Sequence, residues 1–178
     1  DYPIWGGWDI RGMSTFNSEG NKYATTSHGS STGKIFMADF DRCYGILSNP
    51  KEIIMPAGSQ HIPNDTTITE RLSVALSYSP NSEFLYVISM SNIYQYDLQN
   101  DTWYHVAGLD TTYLKFQDYD ASYFGPDGKL YIGNFGGGSK QMSRIDNPDI
   151  KGAGCNFCPR CLRLDSLGIY AAAGTPPC

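Results

Sequence analysis

The sequence predicts an all-β fold, a β-propeller segment of about three four-stranded antiparallel blades. Three observations carry that reading. Among 178 residues there are 19 Gly, 10 Pro, 13 Tyr and 8 Phe but only 17 % charged residues, a balance that favours short aromatic strands joined by tight turns. A phrase of aromatic residue, turn and strand recurs. It reads Phe124-Gly125-Pro126-Asp127-Gly128-Lys129-Leu130-Tyr131-Ile132, then Tyr78-Ser79-Pro80-Asn81-Ser82-Glu83-Phe84-Leu85-Tyr86-Val87, and in a worn copy Phe16-Asn17-Ser18-Glu19-Gly20-Asn21-Lys22-Tyr23-Ala24-Thr25. Finally, no segment holds an i, i+3, i+4, i+7 apolar stripe for three turns without Gly, Pro or β-branched interruption.

The first group of strands is expected at 8–14, 22–26, 34–40 and 52–55. It is broken by Asn17 to Gly20, His28 to Gly33 and Arg42 to Pro50, each rich in Gly, Ser, Asn or Pro. A polar loop from Ser59 to Thr69 leads to a second group at 72–78, 84–89, 93–98 and 103–107. That loop explains why Phe16 and Tyr78 stand 62 residues apart while Pro80 and Pro126 stand 46 apart. The third group runs 118–124, 130–134, 141–146 and 161–165, with Asn147 to Pro159 as a long irregular connection. Periods of about 40 to 50 residues with four strands each are propeller spacing.

Within the second group the alternation is specific. Leu85 and Val87 on one side and Tyr86 and Ile88 on the other leave neither face of the 84–89 strand polar, so it is expected to be buried on both. The next strand reads as amphipathic, with Tyr94, Tyr96 and Leu98 on its apolar face. Such a strand belongs in a sheet sandwiched between two others. The domain reading is one segment over 1–178, with blades at about 8–58, 71–110 and 116–168. Since propellers close with about 4 to 8 blades, further blades from the same or another chain are expected to complete the ring. Asp1 as the first residue and Cys178 as the last suggest a segment of something longer.

Composition also excludes partners. A formal charge of -5 with no basic run argues against nucleic acid, and no apolar run approaches the roughly 20 residues of a membrane helix.

Several phrases occur in fixed order: Phe40-Asp41-Arg42-Cys43-Tyr44-Gly45 to Asn49-Pro50, Tyr78-Ser79-Pro80-Asn81-Ser82, Ile93-Tyr94-Gln95-Tyr96-Asp97-Leu98, Gly125-Pro126-Asp127-Gly128-Lys129, and Ile145-Asp146-Asn147-Pro148 to Gly152-Ala153-Gly154-Cys155-Asn156-Phe157. Together they resemble the WD40-like propeller region of large secreted and cell-surface proteins of Bacteroidota, often type IX secretion substrates. The resemblance covers the chain from about Trp8 onward. It implies an extracellular or outer-membrane-associated location, and neighbouring adhesion-type and sorting domains. Cys158, Cys161 and Cys178 depart from that pattern.

Cys155-x2-Cys158-x2-Cys161, with Cys178 beyond, has the spacing of a cluster-binding loop, yet the three read as one loop without a second ligand pair. In an oxidising setting disulfides are the expectation, drawn from Cys43, Cys155, Cys158, Cys161 and Cys178. Pairing is expected within the last four, because a blade intervenes between Cys43 and Cys155. Gly133 to Lys140 lacks the Gly-Lys-Ser/Thr order of a phosphate loop. Asp39, Asp41, Asp97, Asp118, Asp120 and Asp127 show no calcium-loop spacing and read as turn caps. His28, His61 and His105 stand in no catalytic motif. Asn64-Asp65-Thr66 and Asn100-Asp101-Thr102 read as N-glycosylation acceptors only in a eukaryotic context, and Asp165-Ser166-Leu167 resembles the Asp-Ser/Thr-apolar acceptor of Bacteroidota O-glycosylation.

The expected function is a non-enzymatic scaffold or binding module for a glycan or protein, with no cofactor and no metal. Trp5, Trp8, Tyr44, Tyr119 and Phe135 are its candidate contact aromatics. The alternatives are a propeller hydrolase or lactonase, and a metal or redox protein built on the 155–161 cysteines.

Overall fold

The computed structural model describes residues 13–26, 34–56, 73–89, 92–108, 119–134 and 140–164. Their strands form three separate four-stranded antiparallel sheets. Blade 1 holds β1 (Ser14–Phe16), β2 (Lys22–Thr26), β3 (Lys34–Asp41) and β4 (Ile46–Ile54). Blade 2 holds β5 (Ser73–Tyr78), β6 (Phe84–Ser89), β7 (Asn92–Asp97) and β8 (Thr102–Gly108). Blade 3 holds β9 (Tyr119–Phe124), β10 (Leu130–Asn134), β11 (Gln141–Ile145) and β12 (Phe157–Arg163), with a short 3-10 helix at Gly152–Cys155 before the last strand. In every sheet, spatial order follows chain order. Contacts between sheets run mainly through β1, β5 and β9, with β2 and β6 behind them, so the blades converge on their first strands. The outer strand β4 is exposed along almost its whole length. This is the all-β, four-stranded-blade architecture the repeat predicts.

The repeated phrase folds the same way three times. Asn17, Ser79 and Gly125 each accept a backbone bond on their carbonyl from the residue three positions on, namely Gly20, Ser82 and Gly128. Those three residues have φ of 67°, 61° and 74°, in the left-handed region where glycine is at ease, and blade 2 fills the position with serine. The turn amide then closes on the returning strand, from Asn17 to the Lys22 carbonyl, from Ser79 to Phe84 and from Gly125 to Lys129. Blade 3 is one residue shorter there.

The core lies in two layers, one on each side of blade 2. Ala24, Ile35, Met37 and Ile53 of blade 1 pack against Leu76, Tyr78, Leu85, Val87, Tyr94 and Tyr96. On the other side, Ala75, Tyr86, Ile88 and Ile93 pack against Tyr119, Leu130, Ile132, Ile145 and Cys155 of blade 3. Every residue of β6 is buried, as its two apolar faces predict.

The structure departs from the sequence reading in four places. The expected 52–55 strand begins at Ile46, because the break is a four-residue turn: the Asp41 carboxylate accepts the amides of Cys43 and Tyr44, and Gly45 takes φ 68°. Pro50 sits inside that strand at a bulge, where Asp39 pairs with Ser48 and Met37 with Lys51, on an outer edge that tolerates a residue without an N–H. The strand expected at 161–165 begins at Phe157, so Cys158 and Cys161 lie in β12 and not in a loop with Cys155. In blade 1 the described first strand is Ser14–Phe16; most of the expected 8–14 segment lies outside the described residues. Finally, β7 is buried on both faces, with Gln95 and Asp97 as well as Tyr94 and Tyr96 out of solvent.

Gln95 can be buried because the chain between β11 and β12 satisfies it. Its side-chain amide donates to the Tyr86 hydroxyl at 2.7 Å and to the Ile150 carbonyl at 2.9 Å, and its oxygen accepts the Gly152 amide at 2.7 Å. The Tyr86 hydroxyl donates to the Pro148 carbonyl at 2.9 Å. Blade 3 is thereby tied to blade 2 through a dry polar hub. Blades 1 and 2 are joined at their outer rim, where Lys51 and the Tyr96 hydroxyl both meet the Asp101 carboxylate and the ammonium lies 5.7 Å from the Tyr96 ring centre. The hydrogen bonds from Lys51 and then Tyr96 hold Asp101 below the usual carboxylate range, and Asp101 in turn raises Lys51.

Replacing Gln95 with Leu strands these partners, and urea unfolding should show a loss of about 1–3 kcal/mol. For Asp101 the folded-state shift is downward, so its contribution is present above the unfolded carboxyl range and is lost as acid protonates the folded group. The stability gap between the chain and Asp101→Asn should therefore be widest at about pH 5 to 9 and close towards pH 2. Both side chains are substantially exposed, so molar salt should shrink it further.

Candidate functional site

Where β1, β5 and β9 end, their three repeated turns frame a cleft of about 570 Å³. Because the blades converge on these strands, the cleft stands on the axis of the fan. Asn17 donates from its side-chain amide to the Ser82 hydroxyl at 3.1 Å, and Ser18 donates to the Pro80 carbonyl at 2.9 Å, so the turns of blades 1 and 2 are locked together. The Asn81 amide of blade 2 donates to the Asp149 carboxylate of blade 3 at 2.9 Å.

The wall has a repeated composition. Phe16, Tyr78 and Phe124 occupy the same position, last in the first strand of each blade, and all three line the cleft. Tyr78 is buried, and burial followed by the nearby Asp39 charge pushes its hydroxyl well above the ordinary phenol range. Phe16 and Phe124 are exposed at 49 % and 38 %, which leaves ring surface open to a ligand. Between the rings lie Asn17, Ser18, Ser77, Ser79 and Ser122. No Asp, Glu, His, Lys, Arg or Cys is among the described residues lining the cleft. The wall can stack and donate or accept hydrogen bonds, but it presents no charge.

The aromatics singled out from sequence are placed elsewhere. Tyr119 is a core residue, 6 % exposed and edge-on to Phe157 at 6.3 Å, because the alternation of β9 points it between blades 2 and 3. Tyr44 stands fully out on the β3–β4 turn, and Trp5, Trp8 and Phe135 lie outside the described residues. The sequence reading does not include Phe16 and Phe124 among the contact aromatics, although the repeat carries a signal for them. Each opens the repeated phrase.

The aspartates serve turns and strand ends. Asp97 accepts the amides of Gln99 and Asn100, Asp127 accepts the Tyr131 hydroxyl at 2.9 Å, and Asp39 accepts the Asn49 side-chain amide at 2.8 Å. No group of three or more His, Cys, Asp or Glu is placed to hold a metal among the described residues. His105 lies on β8, 3.0 Å from the Asn92 side-chain oxygen and against Tyr94, while His28 and His61 fall outside the description. Of the triplets, Asn100-Asp101-Thr102 forms the β7–β8 turn, where Asn100 donates to Asp97. Asn64 and Asp165 lie outside the described residues, as do residues 135–139 of the glycine-rich stretch.

Cys43, Cys155, Cys158 and Cys161 are free thiols in the structure, and Cys178 is outside the described residues. Cys43 is exposed on the outer turn of blade 1. Cys155 is buried against the Tyr86 hydroxyl, and that burial raises its pKa. Cys161, though exposed, turns its sulfur to 3.4 Å from the Cys158 carbonyl, and partial desolvation followed by the Cys158 side chain pushes its pKa up to about 11.

No protein-family model and no curated protein matches the sequence. Among solved structures the chain is similar to hydrazine synthase of Kuenenia stuttgartiensis, at 14 % identity and a TM-score of 0.50, covering 76 % of this chain and 32 % of that one. It is also similar to the β-propeller domain of Cps50 (Swd1) from Myceliophteria thermophila, at 9 % identity and 0.45, covering 75 % and 37 %. A third is the extracellular domain of what is described as a one component system from B. thetaiotaomicron, at 9 % and 0.46, covering 78 % and 15 %. At these identities the likeness concerns fold. The chain spans less than two fifths of each of these structures.

The floor of the cleft offers a local test. Ser77 and Ser122 bridge blades 2 and 3 there through a buried hydroxyl pair at 2.8 Å. Either serine changed to alanine alone leaves a buried hydroxyl unpaired and should cost about 1–2 kcal/mol, whereas the double variant should recover part of that loss. A double-mutant cycle on urea midpoints measures the coupling.

Proposed function

We propose that the three blades belong to a larger propeller and that the mouth of its channel is a non-enzymatic binding platform for a glycan or protein, on an extracellular or cell-surface bacterial protein. The observation carrying this reading is the uncharged cleft at the convergence of β1, β5 and β9, where each blade contributes one ring from the same position. Flat apolar rings beside hydroxyl and amide groups suit a sugar face or a polar peptide. Hydrolysis is usually carried by a carboxylate, imidazole, amine or thiol or by a bound metal, and no Asp, Glu, His, Lys, Arg or Cys is among the described residues of the wall.

The flank of blade 1 supports the larger ring. Facing away from blade 2, Phe16 packs on Tyr23 and Phe40 at 5.1 and 4.8 Å, and Leu47, paired with Phe40, and Ile54, further along the same face, are more than half exposed. A further blade set against that face would bury it just as blades 1 and 3 bury the two faces of blade 2.

A printed array of bacterial and host oligosaccharides, probed with the purified chain, tests the platform. Phe16→Ala and Phe124→Ala should each weaken retained signals about tenfold, equivalent to ~1.4 kcal/mol. Signals unchanged in both variants would move the site away from the mouth. Ring opening of sugar lactones above the buffer rate, abolished by a chelator, would replace the binding reading with the enzymatic one.

A further inference from the structure

We propose that Cys158 and Cys161 are a redox clasp that closes as a disulfide across the bulge of β12. On a regular strand these residues could not meet. Side chains three apart point to opposite faces, and their Cα atoms stand about 10 Å apart, whereas a disulfide needs about 4.4–6.8 Å. The pairing of β11 with β12 shows how the chain escapes that limit. Arg144 pairs with Cys158 and Met142 with Leu162, so Ser143 alone faces the three residues from Pro159 to Cys161. Pro159 has its φ fixed by its ring, Arg160 takes φ 51°, and the Arg160 amide donates to the Ser143 hydroxyl at 3.1 Å. The strand kinks at this point and turns the Cys161 sulfur back to 3.4 Å from the Cys158 carbonyl oxygen.

The other cysteines are placed for different fates. Cys155 is wholly buried at the end of the 3-10 helix, against Tyr86 on the side facing blade 2, whereas Cys158 shares its face with Arg144. Cys43 is on blade 1, with all of blade 2 between. Cys158 is half-buried and Cys161 exposed, so a small oxidant can reach them.

Closure is thiol–disulfide exchange with a low-molecular-weight disulfide such as oxidised glutathione. One thiol loses its proton and attacks a sulfur of the reagent, expelling one glutathione thiolate. The second thiolate attacks the mixed disulfide and expels the other. One S–S bond forms in the protein, one breaks in the reagent, and two protons leave with two electrons. The clasp stands apart from the binding reading, and each can fail without the other.

Trypsin offers a direct test because its site after Arg160 lies between the two cysteines. The purified chain is equilibrated with oxidised glutathione, blocked with an alkylating reagent and digested without reductant. Peptides 152–160 and 161–163 should remain joined, with a mass ~2 Da below the sum of the peptide carrying alkylated Cys155 and free Cys158 and the peptide carrying free Cys161. The link should persist in Cys155→Ser and vanish in Cys158→Ser. In hydrogen exchange, residues 160–163 should be better protected in the closed form than in the reduced one. Complete alkylation of Cys158 and Cys161 in the oxidised sample would overturn the proposal, and so would a link from Cys161 to Cys155 or Cys178, or a native mass showing a metal held by the pair.

Discussion

β6 has no side that faces water. Leu85 and Val87 point into the layer shared with blade 1, while Tyr86 and Ile88 point into the layer shared with blade 3. Burying each such aliphatic side chain contributes about 1.5–3 kcal/mol, and neither set can be buried by the sheet that carries it. Blade 2 therefore requires a sheet on each flank, and the inner strands must lie close enough for both layers to form. The position of β1, β5 and β9 around a common cleft follows from that requirement.

Burial on both sides creates a second demand, because polar groups carried into the layers must find partners there. Tyr86 brings a hydroxyl and Gln95 a carboxamide into an almost dry space, and the residues from Pro148 to Gly152 supply the donors and acceptors that meet them. A tight β11–β12 hairpin would leave this hub open. The unusual length of the third blade's last connection is thus accounted for by packing, as a strap folded back onto blade 2. It also delivers Cys155 into the same layer, where burial raises the pKa of its thiol.

How far the fold was legible in the sequence depends on which forces set each element. The turns at 17–20, 79–82 and 125–128 are local chemistry, with a left-handed residue at a fixed offset, and they stand where the repeat puts them. Two-sided burial of β6 was readable from Leu85 to Ile88 alone. Pro50 misled because a proline ends a central strand but is harmless at a bulge on an outer edge, and nothing local distinguishes the two. Gln95 and Asp97 read as a polar face because the strap that satisfies Gln95 comes from more than fifty residues further on. Cys158 reads as a loop residue and the last strand as starting only at Cys161 for a similar reason: the pairing that makes β12 a strand from Phe157 is with β11, across an insertion whose length hides the register.

The same distinction governs the candidate site. Functional residues are usually sought where ionisable groups gather, and among the described residues such groups pair off the cleft wall, as Lys51–Asp101 between blades 1 and 2 and Arg144–Asp146 within blade 3. Those pairs close strand ends and sheet edges. The convergence of the blades carries instead a ring position repeated as Phe16, Tyr78 and Phe124, and the repeat that makes these residues structurally equivalent also sets them around one axis. In an architecture built by repetition, a position that recurs in every blade and ends on the channel acquires a collective geometry that no single copy has. Tyr78, flanked by blades on both sides, is closed into the core, and Phe16, at the uncovered flank, is half open. The degree to which each ring is offered to a ligand is therefore set by its neighbours, and a blade added beside Phe16 would alter the mouth as well as the flank.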